Sequence, residues 1–331
     1  MKVFKVFLSI FLVLILLVGA AIFGVYSLMQ SPSGDFKEYK LSVPSGASYY
    51  SVSQDLENNE IIKNAKIFYY YSRYKNANLK SGVYTVNNKM SFDELHSLFN
   101  TGKQEYITLS IPEGLTISTI AKLLEENGVT SAEDFKNLCF DKSFIAEFNI
   151  PSTSVEGYIF PDTYFFTPKM KAREVLTIMI ENFYKKLSTI ENAKNLSDKE
   201  LFDVVRLASI VEKEYKVASE APLIASVFKN RLRYNIGLYS CATIIYIITE
   251  ELGLPHPGQV KYSDLKIDSP YNTYLYAGLT PTPISNPGLI ALDAAINTPK
   301  TKYYFFRVDD EAKGTHVFTT DFEEHKEAGQ N

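Results

Sequence analysis

From Val6 to Met29 the chain is almost unbroken in apolar character, interrupted only by Ser9, Gly19, Gly24, Tyr26 and Ser27. A run of this length spans a bilayer as a helix, because hydrocarbon offers no partner for free backbone N–H and C=O groups. Lys2 and Lys5 precede it and favour a cytoplasmic N-terminus. The competing reading is a cleaved signal peptide with Gly19, Ala20 and Ala21 as the cleavage region. Apolar residues continue past that point through Ile22, Phe23, Val25 and Leu28, which favours an uncleaved anchor. Either reading puts the remainder of the chain outside the cytoplasmic membrane. Residues 1–30 therefore read as cytoplasmic N-terminus and anchor, and residues 31–36 as a linker, since Pro32 and Gly34 interrupt a continuing helix.

The chain has 331 residues, 46% hydrophobic and 22% charged, enough for more than one packed unit. A net charge of -4 provides no basic patch for phosphates, so nucleic acid is excluded as an expected partner. His96, His256, His316 and His325 have no metal-ligand spacing, and no metal or cofactor is expected. Cys139 and Cys241 form no CxxC pair, and the sequence leaves open whether they are bridged.

Beyond the linker the sequence repeats itself. LSVPSGASYYSVSQDLENNEII from Leu41 aligns with LSIPEGLTISTIAKLLEENGVT from Leu109, with Pro44 opposite Pro112, Gly46 opposite Gly114 and Asn59 opposite Asn127. Each copy reads as a short strand, a Pro and Gly turn and an amphipathic helix. After the first copy a helix over Ala65–Tyr74 and a strand over Gly82–Val86 complete a strand, helix, helix, strand order. A helix over Ser91–Phe99 follows.

Ser197 and Glu200 have capping-box spacing and start a further helix. Phe202, Val204, Val205, Leu207, Ala208, Ile210 and Val211 follow so densely that it must be central and buried. That helix is expected to run to about Val217 and carries Glu212 among small or apolar groups. Desolvation there raises a carboxyl pKa, the condition a general acid needs near neutrality. By periodicity Glu214 makes an equal claim.

The run ASIVEKE, with EGYIFPDTY upstream and SPYNTYLYAGLTPTPISNPG and GTHVF downstream, resembles the endolytic murein transglycosylase, or YceG-like, family. The resemblance covers nearly the whole chain, with four motifs in the right order. It implies that Glu212 is the catalytic residue. The expected architecture is α+β: the N-terminal transmembrane helix, a small LysM-like βααβ subdomain over 37–108, and a larger mixed α/β catalytic domain over 109–331. The LysM likeness is topological and implies glycan binding, and the alternative is a spacer that holds the catalytic part away from the membrane.

The same motifs nominate substrate-binding residues. Glu156 and Tyr158 belong to the EGYIFPDTY signature, where a short apolar strand is expected before a turn at Pro161 and Asp162. Glu156 is either a second catalytic carboxylate or a loop anchor bonded to backbone amides. Asn230 and Arg231 match the family's NRL run and could reach a sugar hydroxyl or a peptide carboxylate. Asn272, Thr273, Tyr274 and Asn286 sit on a long loop stiffened by prolines, which is either a saccharide groove or an elaborate structural loop. Where relatives read Leu-Gln-Ser-Asp-Pro-Thr, this chain keeps Ser240 and Thr243 but has Tyr239, Cys241 and Ala242 at the other positions.

The implied reaction is lytic cleavage of peptidoglycan glycan strands at the membrane, with one Glu as acid and then base and no water consumed. Peptidoglycan synthases are the implied neighbours. A muramidase would need a second carboxylate, for which Glu156 or Glu214 are candidates. A silent, membrane-anchored glycan-binding scaffold is the reading from outside enzymology.

Overall fold

A computed structural model describes residues 2–30, 32, 35–44, 46–76, 78–102, 106–310 and 312–328. Residues 31, 33 and 34 of the expected linker lie outside the described residues. The chain divides into two compact units, residues 1–106 and 107–331.

The first unit opens with α1 (Lys2–Met29). Its stretch Ile10–Met29, 20 residues long, is apolar enough to cross a membrane, and none of it is buried. β1 (Glu38–Val43) pairs antiparallel with β2 (Gly82–Asn87), in register from Glu38 opposite Asn87 to Val43 opposite Gly82. Between them in sequence come α2 (Tyr49–Asn58) and α3 (Ala65–Tyr74), and α4 (Phe92–Thr101) follows behind a Ser91/Glu94 capping box. Leu41 and Val43 point inward from β1 onto Leu56, Phe68, Tyr84 and Phe99. The edge-on pair Phe68 and Phe92, with ring centroids 4.9 Å apart, sits in this small core.

The second unit opens with the second repeat copy: β3 (Ile107–Ser110), a turn, and α5 (Ile117–Glu126). The two copies agree in detail. Ser48 and Thr116 cap their helices by accepting from Ser51 N and Thr119 N, and Asn59 and Asn127 end them. Gly46 and Gly114 hold φ of 76° and 74°, the left-handed conformation the turn requires. α6 (Ala132–Cys139) and α7 (Lys142–Glu147) lead to β4 (Thr163–Phe166), which pairs antiparallel with β3. Then come α8 (Ala172–Leu187), α9 (Asp198–Val211), α10 (Ala221–Arg233), α11 (Cys241–Tyr246) and α12 (Leu289–Ile296). A hairpin of β5 (Phe305–Asp310) and β6 (Thr315–Thr319), and α13 (Phe322–Glu327), complete the unit. The fold is mixed α/β, with three separate two-stranded sheets among the described residues.

α9 runs through the middle of the large core. Its capping box forms as expected, Val205, Ala208, Ile210 and Val211 are fully buried, and it packs against α10 and α12. It stops at Val211, earlier than the sequence pattern suggests. The amides of Lys213 and Glu214 reach back only three residues, to Ile210 O and Val211 O, tightening the last turn.

One other segment differs from expectation, and another carries none from the sequence. The apolar run before Pro161 is no strand, because the Asn286 side chain takes the Gly157 and Ile159 amides that a neighbouring strand would need. α11, which passes into a π-helical turn over Ile247–Glu251, has Ser240 at its N-cap, but that hydroxyl goes to Glu214 and not to the helix. Cys139 is buried and Cys241 exposed, both as free thiols.

Candidate active site

Because α9 ends at Val211, Glu212 occupies its C-cap, half-buried, with its own amide 2.8 Å from Ala208 O. The carboxylate accepts from the amide of Gly288, 2.9 Å from Oε2, just before α12. The Tyr215 hydroxyl lies 3.3 and 3.4 Å from its two oxygens. Burial, opposed by the Gly288 amide and reinforced by the nearby charge of Glu113, pushes Glu212 up to about 7. Unpaired carbonyls at a helix C-terminus disfavour the anion in the same direction. Glu212 can therefore both give and take a proton near neutrality.

Three distant segments meet beside it. Glu156, fully buried, accepts from Ile117 N at 3.1 Å and from Asn286 Nδ2 at 2.6 Å. Asn286 also donates to Leu115 O at 3.0 Å, while its Oδ1 accepts from Gly157 N and Ile159 N at 2.9 Å. Backbone bonds of 2.8 Å join Gly114 N to Asn286 O and Asn286 N to Leu115 O. This network fixes the 113–117 turn against the loop that delivers Gly288. Burial pushes Glu156 up to about 8 against the opposing pull of the Ile117 amide. Gly157 completes the joint: at φ 89°, an added Cβ would lie 2.6 Å from Val205 Cγ1 and 2.7 Å from Pro283.

On the other side of the 212–214 turn, Glu214 accepts the Ser240 hydroxyl, and burial raises its pKa against the Ser240, His316 and Arg231 contributions. Ser240 N donates to Thr273 Oγ1 at 3.1 Å, and Thr243 Oγ1 donates to Ser240 O at 2.7 Å. Asn272 holds its loop by donating to Leu265 O and Ile267 O at 3.0 and 2.8 Å. Asn230 donates to Thr301 O and Tyr303 O at 3.1 and 2.8 Å. Arg231 donates to Tyr304 O and Leu238 O. The half-buried Tyr274 ring lies 5.6 Å from that of the exposed Tyr239, and its hydroxyl is 3.1 Å from Cys241 Sγ.

Most residues that the motifs nominate for substrate thus have their polar groups occupied inside the protein. Glu156, Asn230, Ser240, Thr243, Asn272, Thr273 and Asn286 shape the site by bracing loops. Tyr158 lies in the core with its ring 4.9 Å from Phe183. Glu156 spends its oxygens on the Ile117 amide and the Asn286 side chain. Tyr274 keeps an accessible face, and Arg231 lines a cavity.

Sequence reasoning passed over Glu113, Lys213 and Tyr215. A side-chain carbon on Gly288 would overlap the exposed Glu113 carboxylate, and Lys213 Nζ donates to Gly114 O at 3.1 Å. One signal was available: Glu113 stands where the first repeat copy has Ser45, so only the second turn carries an acid. A cleft of about 240 Å³ runs alongside, lined by Gly114, Thr116, Lys213, Tyr246, Glu250 and His256. A shallower groove of about 640 Å³ near Ser131 and Arg173 includes none of these residues. Among the described residues no three or more His, Cys, Asp and Glu side chains gather as a metal ion would need.

A model of the YceG-like family matches residues 41–331. A protein of Bacillus subtilis (strain 168) named endolytic murein transglycosylase is 30% identical over 331 residues, covering 95% of this chain and 90% of its own length. A protein of the same name from Streptococcus pneumoniae serotype 2 (strain D39 / NCTC 7466) is 31% identical over 97% of this chain, which spans 64% of that longer protein. The 2.6 Å crystal structure of a YceG-like protein from Listeria monocytogenes superposes with a TM-score of 0.56 at 30% identity, covering 88% of this chain and 99% of that one.

Proposed function

The chain belongs to the YceG-like family, and from that membership we propose that it is a membrane-anchored endolytic transglycosylase that cuts peptidoglycan glycan strands without consuming water. The observation that carries this reading is the state of Glu212: half-buried, pushed up to about 7, and held by Gly288 and Tyr215 at the end of a rigid helix.

Protonated Glu212 gives its proton to the oxygen linking N-acetylmuramic acid to N-acetylglucosamine, and the bond from C1 to that oxygen breaks. The resulting carboxylate takes the proton of the C6 hydroxyl on the same muramic acid, and O6 bonds to C1 as the anhydro ring. Glu212 ends protonated, as it began. The nucleophile is tethered to the ring it attacks, so proximity replaces a second catalytic group. A group near pKa 7 suits both half-reactions. The Gly288 amide and the Tyr215 hydroxyl stabilise the carboxylate between the two transfers.

The remaining assignments follow from the same reading. α1 is the anchor, with the rest of the chain outside the cytoplasmic membrane and beside the peptidoglycan synthases. Residues 37–108 are a LysM-like glycan-binding module, supported by the strand, helix, helix, strand order of β1, α2, α3 and β2. Residues 109–331 are the catalytic domain.

A hydrolytic muramidase is the second reading, and the proximity of Glu113 to Glu212 is what favours it. Glu156 and Glu214 serve it poorly, since both are committed to internal hydrogen bonds. Mass spectrometry of digested strands separates the two, because hydrolysis leaves ends one water heavier than anhydro ends. Replacing Glu212 by Gln should lower the release of anhydro-ended fragments by about 10²- to 10⁴-fold. Equal release by the two proteins would reject the assignment.

A further inference from the structure

Between the 212–214 turn, α10 and the β5–β6 hairpin lies a second cavity, of about 390 Å³, with a lopsided lining. Arg231, Arg307, His316 and His325 face it, against the single carboxylate of Glu214. Three of these groups are already engaged: His316 Nδ1 is 2.7 Å from Glu220, Glu214 accepts from Ser240, and Arg231 donates to Tyr304 O and Leu238 O. Arg231 is 7% exposed, with its guanidinium 5.6 and 5.5 Å from the ring centroids of Tyr239 and Phe305. Arg307 Nε and His325 Nδ1 are buried without any hydrogen-bond partner, and Arg307 forms no ion pair with a described residue.

Buried donors without partners are expensive, and a native cavity lined by them is suited to a ligand that accepts from them. The planar guanidinium fork of Arg307 matches a carboxylate, Arg231 adds its charge, and Phe305 offers an apolar wall to the chain that carries it. Glu214 follows Glu212 by two residues, so this cavity starts within about 7 Å of chain from the proposed proton donor.

We propose that this cavity is a carboxylate-binding subsite, read chiefly by Arg307, for a peptide borne on the glycan strand being cut. The proposal rests on the transglycosylase reading for its substrate but not for its anion chemistry. A free peptide and a strand-borne peptide present the same carboxylate, and the two arms of the test separate them.

In the first arm, the full-length protein and its Arg307→Gln and Arg307→Lys variants are given peptide-bearing strands and the same strands stripped of peptide. The ratio of kcat/KM between the two substrates should favour peptide-bearing strands in the wild type and fall about tenfold in Arg307→Gln, as loss of one charge-assisted contact implies. Arg307→Lys should recover part of it. A ratio unchanged by Arg307→Gln overturns the proposal.

The second arm uses the wild-type fold and needs no turnover. Burial, with the charges of Arg307 and Arg231, holds His325 below its ordinary range. A carboxylate seated between these groups should move its imidazole resonances and raise its titration midpoint. The probe is a short free peptide with acidic side chains, compared with the same peptide fully amidated. Equal responses to both peptides, or to neither, overturn the subsite. A response to the acidic peptide alone, in a protein that releases no anhydro product, supports the subsite while the transglycosylase reading fails.

Discussion

Glu113 supplies the sharpest test of how Glu212 is tuned. Gly288 N lies 2.9 Å from Glu212 Oε2, and a Cβ on the same residue would overlap the Glu113 carboxylate. The two carboxylates are therefore within about 7 Å of each other. At that separation, like charges repel by about 0.6 kcal/mol in a water-like dielectric and about 2.4 kcal/mol at an effective dielectric near 20. Glu113 is exposed and Glu212 half-buried, so an intermediate value applies, worth about one pK unit. Replacing Glu113 by Gln removes the repulsion and favours ionised Glu212, so its pKa falls from about 7 toward 6. In the proposed reaction the acid form starts the cycle, so kcat/KM should begin to decline about one pH unit earlier on the alkaline side.

Gly288→Ala offers an independent route to the same end. Gly288 has φ -81°, which alanine adopts freely, and its amide remains available to Glu212. The new methyl group displaces the end of the Glu113 side chain, so the shift should have the same sign and be smaller. The assay is chromatographic quantification of anhydro-ended fragments between about pH 5 and 9. If the alkaline limb of both variants stays where the wild type has it, or moves upward, Glu113 does not tune Glu212.

Three further outcomes concern the frame around the site. Glu156 is pushed from an ordinary 4.5 up to about 8, so between those values the folded chain holds a proton that the unfolded chain releases. Stability should therefore fall as pH rises through that window, by the order of a few kcal/mol, and calorimetry of Glu156→Gln should lack that decline. Gly157→Ala puts a methyl group 2.6 Å from Val205 at a φ of 89°, which should cost about 3 kcal/mol in a denaturant titration. Ser197→Ala removes the hydroxyl of the α9 capping box and should cost about 1 kcal/mol, read as a lowered Tm with the pH profile of activity unmoved.

Features set by neighbours in the chain are legible in the sequence. The length of the apolar run, the paired Pro and Gly turns of the repeat, and the capping box of α9 all act over a few residues. Each forms where its pattern lies. The burial around Glu212 is also readable, because Ala208, Ser209 and Val205 are fixed relative to it by the helical period.

Tertiary structure decided how that carboxyl is used. No periodicity says that α9 stops one residue before Glu212, that an amide 76 residues away comes to 2.9 Å from it, or that Glu113 shares its surroundings. The same gap hides from the motifs that Glu156 and Asn286 are bonded to each other. A polar side chain in a loop looks alike whether it faces solvent or another loop, and only the packed fold shows where its hydrogen bonds go. Local chemistry set most of the elements and left Glu212 and Glu214 as candidate acids, whereas the proton affinity of Glu212 came from groups that folding alone brought near.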